Sequence, residues 1–315
     1  MRVVELAAIQ QVFDPAEARE HIAAAFVAYS AGQVTVPPVG QLDFPAVDGE
    51  THIKYGWIKG DSRFLVKIVS GFYQNPQRGL PTSNGLMLLF SAETGTPEAL
   101  LLDEGFLTDH RTAIAGALCA AHLAPRTIER IGIVGGGIQA RLQLEHLAAV
   151  TDCRDAMVWT RRPEAAADYQ RAMAESGFTV AVAPSAQALC EACNLIVTTT
   201  PASEPLLDAA WLRPGIHLTC VGSDGVGKQE IDPAIIGGAD LCVVDSRRQC
   251  VAFGEVQHAV ASGQLDAETL VELGTVIAGS HPGRQSEQEI TVADLTGVAV
   301  QDIAIATAVW EKLQT

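Results

Sequence analysis

The sequence predicts an α/β protein with a parallel sheet in its middle and a mixed α+β region before it. Three observations carry that expectation. Short apolar runs alternate with helical patterns between residues 130 and 245. The first of those runs leads directly into the turn Gly135-Gly136-Gly137. Residues 1–105 follow a different rhythm, one helical segment and then several strand-like runs separated by turn residues. Strands alternating with helices imply βαβ units, whose crossovers cover both faces of a parallel sheet.

In chain order, a helix is expected at 14–30, then strands at 51–58, 64–70, 85–91 and 99–103. Turn residues such as Ser91-Ala92-Glu93-Thr94-Gly95 separate these strands, which suits a largely antiparallel sheet. A helix at 108–123 leads into the middle region. There, 130–134 is a continuous apolar run of the kind that sits in a strand buried on both faces. A helix at 139–150, a strand at 156–160, a helix at 163–176 and a strand at 179–183 follow. Ser185 is placed to cap a short helix, and strands follow at 195–200, 217–222 and 241–245. The last helix, 300–313, is expected to fold back onto the first region. The sequence shows no internal repeat and no low-complexity linker.

A chain of 315 residues has room for two domains. With 48% hydrophobic and 18% charged residues it can build a large core and is not a disordered chain. Residues 1–11 lack a basic segment followed by an apolar run, so no signal peptide is expected. No apolar stretch reaches the roughly 18 residues that a membrane span needs. The expected location is the cytoplasm, with no membrane partner. The net charge of -16 argues against a nucleic-acid partner, because binding phosphates takes a basic surface. It also makes any cluster of cations in a cleft a candidate site for a small anion. The seven cysteines are odd in number and lie mostly in apolar segments, as buried thiols do. Cys190-Glu191-Ala192-Cys193 is a lone CxxC, and a zinc site would need a second pair or nearby histidines. No histidine motif indicates a metal.

Gly135-Gly136-Gly137-Ile138-Gln139-Ala140 fits GxGxxA directly after a strand and at the opening of a helix. Gly135 permits the tight turn and Gly137 lets the backbone approach a pyrophosphate. Ala140 allows close packing of helix on strand, and the N–H groups at Ile138 and Gln139 face the anion. Such glycine turns are common; the strand before, the helix after and the further βαβ units make this one specific for a dinucleotide. At the end of the second strand an NAD site usually carries Asp or Glu. This chain has Thr160-Arg161-Arg162, which attract a 2′-phosphate and favour NADPH/NADP+ over NADH/NAD+. Thr198 and Val221 stand near the C-terminal ends of later strands, where open α/β sheets bind ligands. A plain run of β-forming residues is the alternative for Thr198-Thr199-Thr200.

Several separated motifs then agree in order. Lys67 lies in a strand, Gly79-Leu80-Pro81-Thr82 in a loop, and Arg111-Thr112-Ala113 in a helix. The glycine loop follows, then Gly222-Ser223-Asp224 with Gly227-Lys228-Gln229-Glu230, and finally Thr296-Gly297-Val298. In this pattern the chain resembles the ornithine cyclodeaminase/mu-crystallin family nearly end to end. The resemblance implies a homodimer with a Rossmann-type domain at 113–296. It also implies a discontinuous α+β domain, 1–112 with 297–315, for substrate binding and dimerisation.

By the same resemblance, Lys67 and Arg111 bind a substrate carboxylate, with Lys67 beside the nicotinamide. Asp224 is implied as the acid–base residue, Thr82, Arg111, Thr112 and Lys228 as cofactor contacts, and Val298 as a residue facing substrate and nicotinamide. Each type suits the chemistry. Cations orient the carboxylate so that an imine carbon meets the hydride donor, and a partly buried Asp passes a proton to the imine nitrogen. Taken alone, each is ordinary: Lys67 a strand-edge charge, Arg111 a helix-start residue, Asp224 a turn residue.

One departure is informative. Cyclodeaminase members of the family usually carry Arg where this chain has Gln41, which binds substrate without supplying charge. Together with Thr160-Arg161-Arg162, Gln41 points to the imine reductase members of the family. The expected reaction is NADPH-dependent reduction of Δ1-pyrroline-2-carboxylate to L-proline, or of Δ1-piperideine-2-carboxylate to L-pipecolate. The alternatives are ornithine cyclodeaminase, an alanine dehydrogenase or iminosuccinate reductase activity, and a non-catalytic NADPH-binding protein.

Overall fold

The computed structural model describes residues 1–314. Its contacts divide the chain into two units: Met1–Arg111 with the segment from Val298 onwards, and Thr112–Gly297. The helix Phe106–Leu123 begins in the first and continues in the second.

The first unit is built on a seven-stranded sheet. Strands Gly49–Ile58, Arg63–Phe72, Ser83–Ser91 and Pro97–Leu102 pair antiparallel in sequence order. Each overlaps the run expected from the sequence with its ends shifted by a residue or two; the last stops at Leu102, one residue short of the expected 103. The strand Arg2–Glu5 was not expected; it joins the edge parallel to Pro97–Leu102. Its four residues are too few for alternation to show, and it is defined by its neighbour.

The helices Pro15–Ser30 and Ala299–Lys312 pack on each other and on this sheet. Asp14 starts the first by accepting hydrogen bonds from the N–H groups of Ala16 and Glu17, with Pro15 in the first turn. The second is apolar on nearly every side and buried accordingly. The sheet face under the helices buries Leu65, Lys67, Met87 and Leu89. The opposite face carries Phe64, Val66, Ile68, Leu86, Leu88 and Phe90, all only half-buried. Phe64 and Phe90 stack there at 4.9 Å.

The second unit is an eight-stranded parallel sheet with α crossovers, the Rossmann-type arrangement. The spatial order is Thr179–Val182, Asp155–Trp159, Ile131–Val134, Leu195–Thr198, His217–Cys220, Thr291–Asp294, Leu241–Val244 and Val271–Glu272. The order reverses direction between Ile131–Val134 and Leu195–Thr198, which opens a crevice at their C-terminal ends. Thr291–Asp294 inserts between two earlier strands and was missed, because its Thr and Asp break the apolar run. The helix expected at 139–150 ends at Leu147, and the chain then closes in turns.

Candidate active site

At the C-terminal end of strand Ile131–Val134, Gly135 has φ +124°, a backbone state that L side chains rarely adopt. A Cβ there would stand 2.4 Å from Thr199 Oγ1. The turn is pinned on both sides: Gly135 N–H donates to Trp159 O at 2.9 Å, and Thr199 N–H donates to Val134 O at 2.9 Å. Around Gly137 the space is open, with nothing within 4 Å of a Cβ. Gly137 caps helix Ile138–Leu147 with no side-chain bond to the first N–H groups. Ile138 is exposed while Ala140 is fully buried. The Tyr169 hydroxyl donates to Ala140 O at 2.9 Å and fixes this helix against the next. A glycine turn with open space and uncapped helical N–H groups fits a dinucleotide pyrophosphate.

Thr160, Arg161 and Arg162 follow the second strand, with both arginines exposed. The Thr160 hydroxyl donates to Arg162 O at 2.5 Å, which shapes the turn. Thr198 is buried, and Val221 N–H donates to Thr198 O at 3.0 Å. Lys228 Nζ lies 2.7 Å from Asp224 Oδ1, so the two residues form one ion pair. Asp224 is partly exposed, its side chain 40% accessible. Thr112 O accepts from Gln143 Nε2 at 3.1 Å beside the same glycine-loop helix.

Glu230 organises this end of the sheet and was not singled out in the sequence. It is fully buried and accepts from Thr198 Oγ1 at 2.7 Å, Thr200 N–H at 2.5 Å and Gly222 N–H at 2.8 Å. It thus ties the threonine strand end to the loop that carries Asp224. Burial pushes its carboxyl up to about 7, against the pull of these donors. Behind it, Glu255 accepts from Glu230 N–H at 2.6 Å, and Asp294 accepts from Val256 N–H at 3.0 Å. Glu230 lies in the Gly227-Lys228-Gln229-Glu230 motif, and a carboxylate beside a buried strand was the available signal.

In the first unit, Lys67 and Arg111 converge on Asp302, at the start of the last helix. Lys67 Nζ and Arg111 Nε lie 2.8 and 3.1 Å from the same oxygen, Asp302 Oδ1. Arg111 Nη1 also donates to Gln301 Oε1 at 3.2 Å. Burial drives Lys67 down to about 7; Arg111 and Lys54 push the same way, and Asp302 opposes them. Asp302 is equally buried, but Lys67, Arg111 and Lys54 outweigh burial and hold its carboxyl below the usual range. Asp302 Oδ2 and Gln301 Nε2 are buried and make no hydrogen bond. An acceptor and a donor of this kind can take up the N–H and carboxylate groups of a ligand.

Asp302 and Lys54 are the residues missed here. Gln301-Asp302 is a polar pair in a helix segment that is otherwise apolar from Ala299 to Ala306, which was the available signal; Lys54 needs the strand register. Val298, at the cap of that helix, is fully buried. Thr82 precedes strand Ser83–Ser91, and its carbonyl accepts from Phe72 N–H at 2.8 Å. Gln41 is not brought to the cluster by any hydrogen bond; it is exposed, and its Nε2 donates to Asp43 Oδ1 at 2.7 Å.

All seven cysteines are free. Burial pushes both Cys190 and Cys193 up to about 12, so the CxxC holds thiols and not reactive thiolates. Among the described residues no group of His, Cys, Asp and Glu side chains is placed to hold a metal ion. Nor is any helix there long and apolar enough to cross a membrane.

Comparison with solved structures matches this arrangement over the whole chain. An archaeal alanine dehydrogenase dimer with bound NAD is 33% identical, with TM-score 0.91, covering 99% of this chain and 95% of that one. The Δ1-pyrroline-2-carboxylate reductase of Thermococcus litoralis, solved with NADH and L-proline, is 27% identical, with TM-score 0.94, covering 100% and 98%. The iminosuccinate reductase of Paracoccus denitrificans, solved with NAD+, is 31% identical, with TM-score 0.92, covering 100% and 96%. A model of the ornithine cyclodeaminase/mu-crystallin family matches residues 2–315. The chain therefore belongs to the ornithine cyclodeaminase/mu-crystallin family.

Proposed function

We propose that this protein is an NADPH-dependent reductase of α-imino acids. Δ1-pyrroline-2-carboxylate, giving L-proline, is the first substrate to test, and Δ1-piperideine-2-carboxylate, giving L-pipecolate, the second. The observation that carries the proposal is the convergence of buried Lys67 and Arg111 on Asp302 in a chain that also carries the Gly135–Ala140 cradle. Buried cations at this density are costly unless an anion is their task. The reductases and dehydrogenases of similar structure act on amino and imino acids by their names.

The residues divide the work. Gly135, Gly137, Ile138, Gln139 and Ala140 hold the pyrophosphate, and Arg161 and Arg162 with Thr160 bind the ribose 2′-phosphate. Thr82, Thr112, Thr198, Val221 and Lys228 complete the cofactor contacts, while Val298 faces the reacting groups. When bound, reduced nicotinamide supplies a hydride. Lys67 and Arg111 hold the substrate carboxylate so that the imine carbon is oriented. Asp224 delivers one proton to the imine nitrogen, directly or through water, as the carbon gains the hydride. Gln41 contributes a hydrogen bond without charge. The enzyme works as a homodimer through the half-buried apolar face around Phe64, Val66, Leu88 and Phe90.

The test is NADPH consumption with Δ1-pyrroline-2-carboxylate, run beside NADH and beside ornithine with NAD+. Rapid, NADPH-dependent turnover with no ammonia from ornithine is expected. Ammonia from ornithine with an inert imine would make the protein a cyclodeaminase.

A further inference from the structure

Strand His217–Cys220 runs into a loop that carries both Asp224 and Lys228 and returns as strand Gln229–Ile231. Both ends of the loop are anchored. At the entry, Gly222 N–H donates to Glu230 Oε2 at 2.8 Å. A Cβ on Gly222 would stand 2.1 Å from Thr200 O, so the chain enters pressed against the threonine strand end. The exit is fixed through one atom, the carbonyl oxygen of Lys228. His258 Nε2, on helix Val256–Ala261, lies 2.8 Å from it, and Ser223 Oγ donates to it at 2.9 Å. A carbonyl oxygen only accepts, so His258 carries a hydrogen on Nε2, and the two donors fill both lone pairs of Lys228 O. Ser223 is buried and closes the loop on itself. Just beyond, Glu255 accepts from Glu230 N–H at 2.6 Å and Ile231 N–H at 3.3 Å.

Between Ser223 and Lys228 stand Asp224, Gly225, Val226 and Gly227. Gly227 has φ +78° and Val226 is 75% exposed. Two glycines and an exposed tip give this stretch little stiffness of its own. Within it, Lys228 N–H donates to Gly225 O at 3.2 Å, and Lys228 Nζ pairs with Asp224 Oδ1 at 2.7 Å. The place of Asp224 is therefore inherited from the Lys228 backbone. The two side chains respond differently when that backbone shifts. A single methylene joins the Asp224 carboxyl to the chain, so the carboxyl moves with it. Lys228 has a flexible four-carbon stem, and its ammonium still reaches a phosphate. Misplacing a reacting group by about 1 Å costs about a hundredfold in rate.

Resting on the reading of Asp224 as the proton donor to the imine nitrogen, we infer that His258 is a positioning residue for that proton transfer, acting through the Lys228 carbonyl. It gives no proton to the substrate; it holds the base of the loop from which Asp224 delivers one.

The experiment compares His258→Leu, which removes the donor, with His258→Gln, whose side-chain amide restores one. With NADPH and Δ1-pyrroline-2-carboxylate, kcat should fall by about 10- to 100-fold in His258→Leu. NADPH affinity should stay within about threefold of wild type, and His258→Gln should bring kcat back to within about threefold. Ser223→Ala removes the second donor; it should show the same split between kcat and affinity, and it keeps the test available if His258→Leu folds poorly. In an Asp224→Ala background His258→Leu should cost less than about threefold more, because both act through one carboxyl. Losses that multiply, or a fall in NADPH affinity as large as the fall in kcat, overturn the inference. Hydrogen exchange at residues 224–228 needs no turnover: it should quicken in His258→Leu and return to the wild-type rate in His258→Gln. Unchanged exchange overturns the inference whatever the kinetics. Quickened exchange in an enzyme whose Asp224→Ala variant keeps its kcat leaves the anchor standing and removes Asp224 as the proton donor. If the imine is not reduced at all, the reductase reading fails and exchange alone decides the anchor.

Discussion

Lys67 Nζ and Asp302 Oδ1 lie 2.8 Å apart in the first unit, both side chains almost wholly buried. The pair joins a residue in the middle of a strand to one at the start of the last helix, 235 positions later. Removing one member of such a pair leaves an uncompensated buried charge, which typically costs about 3–5 kcal/mol. Asp302→Asn should therefore lower stability by about that amount in urea unfolding. Its kcat/KM should fall as well, because Lys67 loses the neighbour that keeps it protonated. A variant as stable as wild type would mean that Asp302 does not balance the cluster.

The depressed Lys67 gives a second test. With its ammonium lowered to about 7, Lys67 loses its charge as pH rises through neutrality. Substrate binding should weaken on that limb, visible as a fall in kcat/KM above about pH 7. Lys67→Arg keeps the charge across the range and should move the limb to higher pH. An unchanged pH profile in this variant would remove Lys67 from carboxylate binding.

Asp224 should matter for chemistry more than for affinity. Its carboxylate pairs with Lys228 at 2.7 Å and remains partly exposed, so Asp224→Ala disturbs little packing. Loss of a general acid typically costs about 100- to 10,000-fold in rate. We expect a fall in kcat of that order with NADPH affinity changed by less than about threefold. An equal loss of both, measured by stopped-flow turnover and fluorescence titration, would sink the assigned role.

The strand, glycine turn and helix of the second unit were legible because their pattern is local. Gly135 to Ala140 are contiguous in sequence, and a strand before the turn and a helix after it suffice to place them. The cationic cluster of the first unit is not local. Lys54 and Lys67 meet only once the register of two strands is fixed, and Asp302 arrives from the far end of the chain. Periodicity locates strands but does not state which residues face each other across them. Thr291–Asp294 was hidden for a related reason: its Thr and Asp are buried and bond to partners elsewhere in the unit.

Glu230, Glu255 and Asp294 give the last prediction. Burial is the largest cause in each case, and the carboxyls are pushed up to about 7, 9 and 8. Each folded value exceeds the unfolded one, so the folded state holds these protons more tightly. Their contribution to stability is fully present below the unfolded pKa and is lost as pH rises through the folded pKa. For Asp294 that window runs from 3.8 to about 8. His217 works in the opposite sense, since burial lowers it from 6.5 to about 3, so the raw pH dependence mixes both signs. Comparing wild type with Asp294→Asn at each pH separates them. The variant keeps the shape and an acceptor oxygen for Val256 N–H but has no charge to bury. Its Tm relative to wild type should rise steadily between about pH 4 and 8, by about 2–4 °C for each kcal/mol that wild type loses. A difference in Tm that is independent of pH would mean that Asp294 has the same proton affinity folded and unfolded, and that burial does not govern this carboxylate.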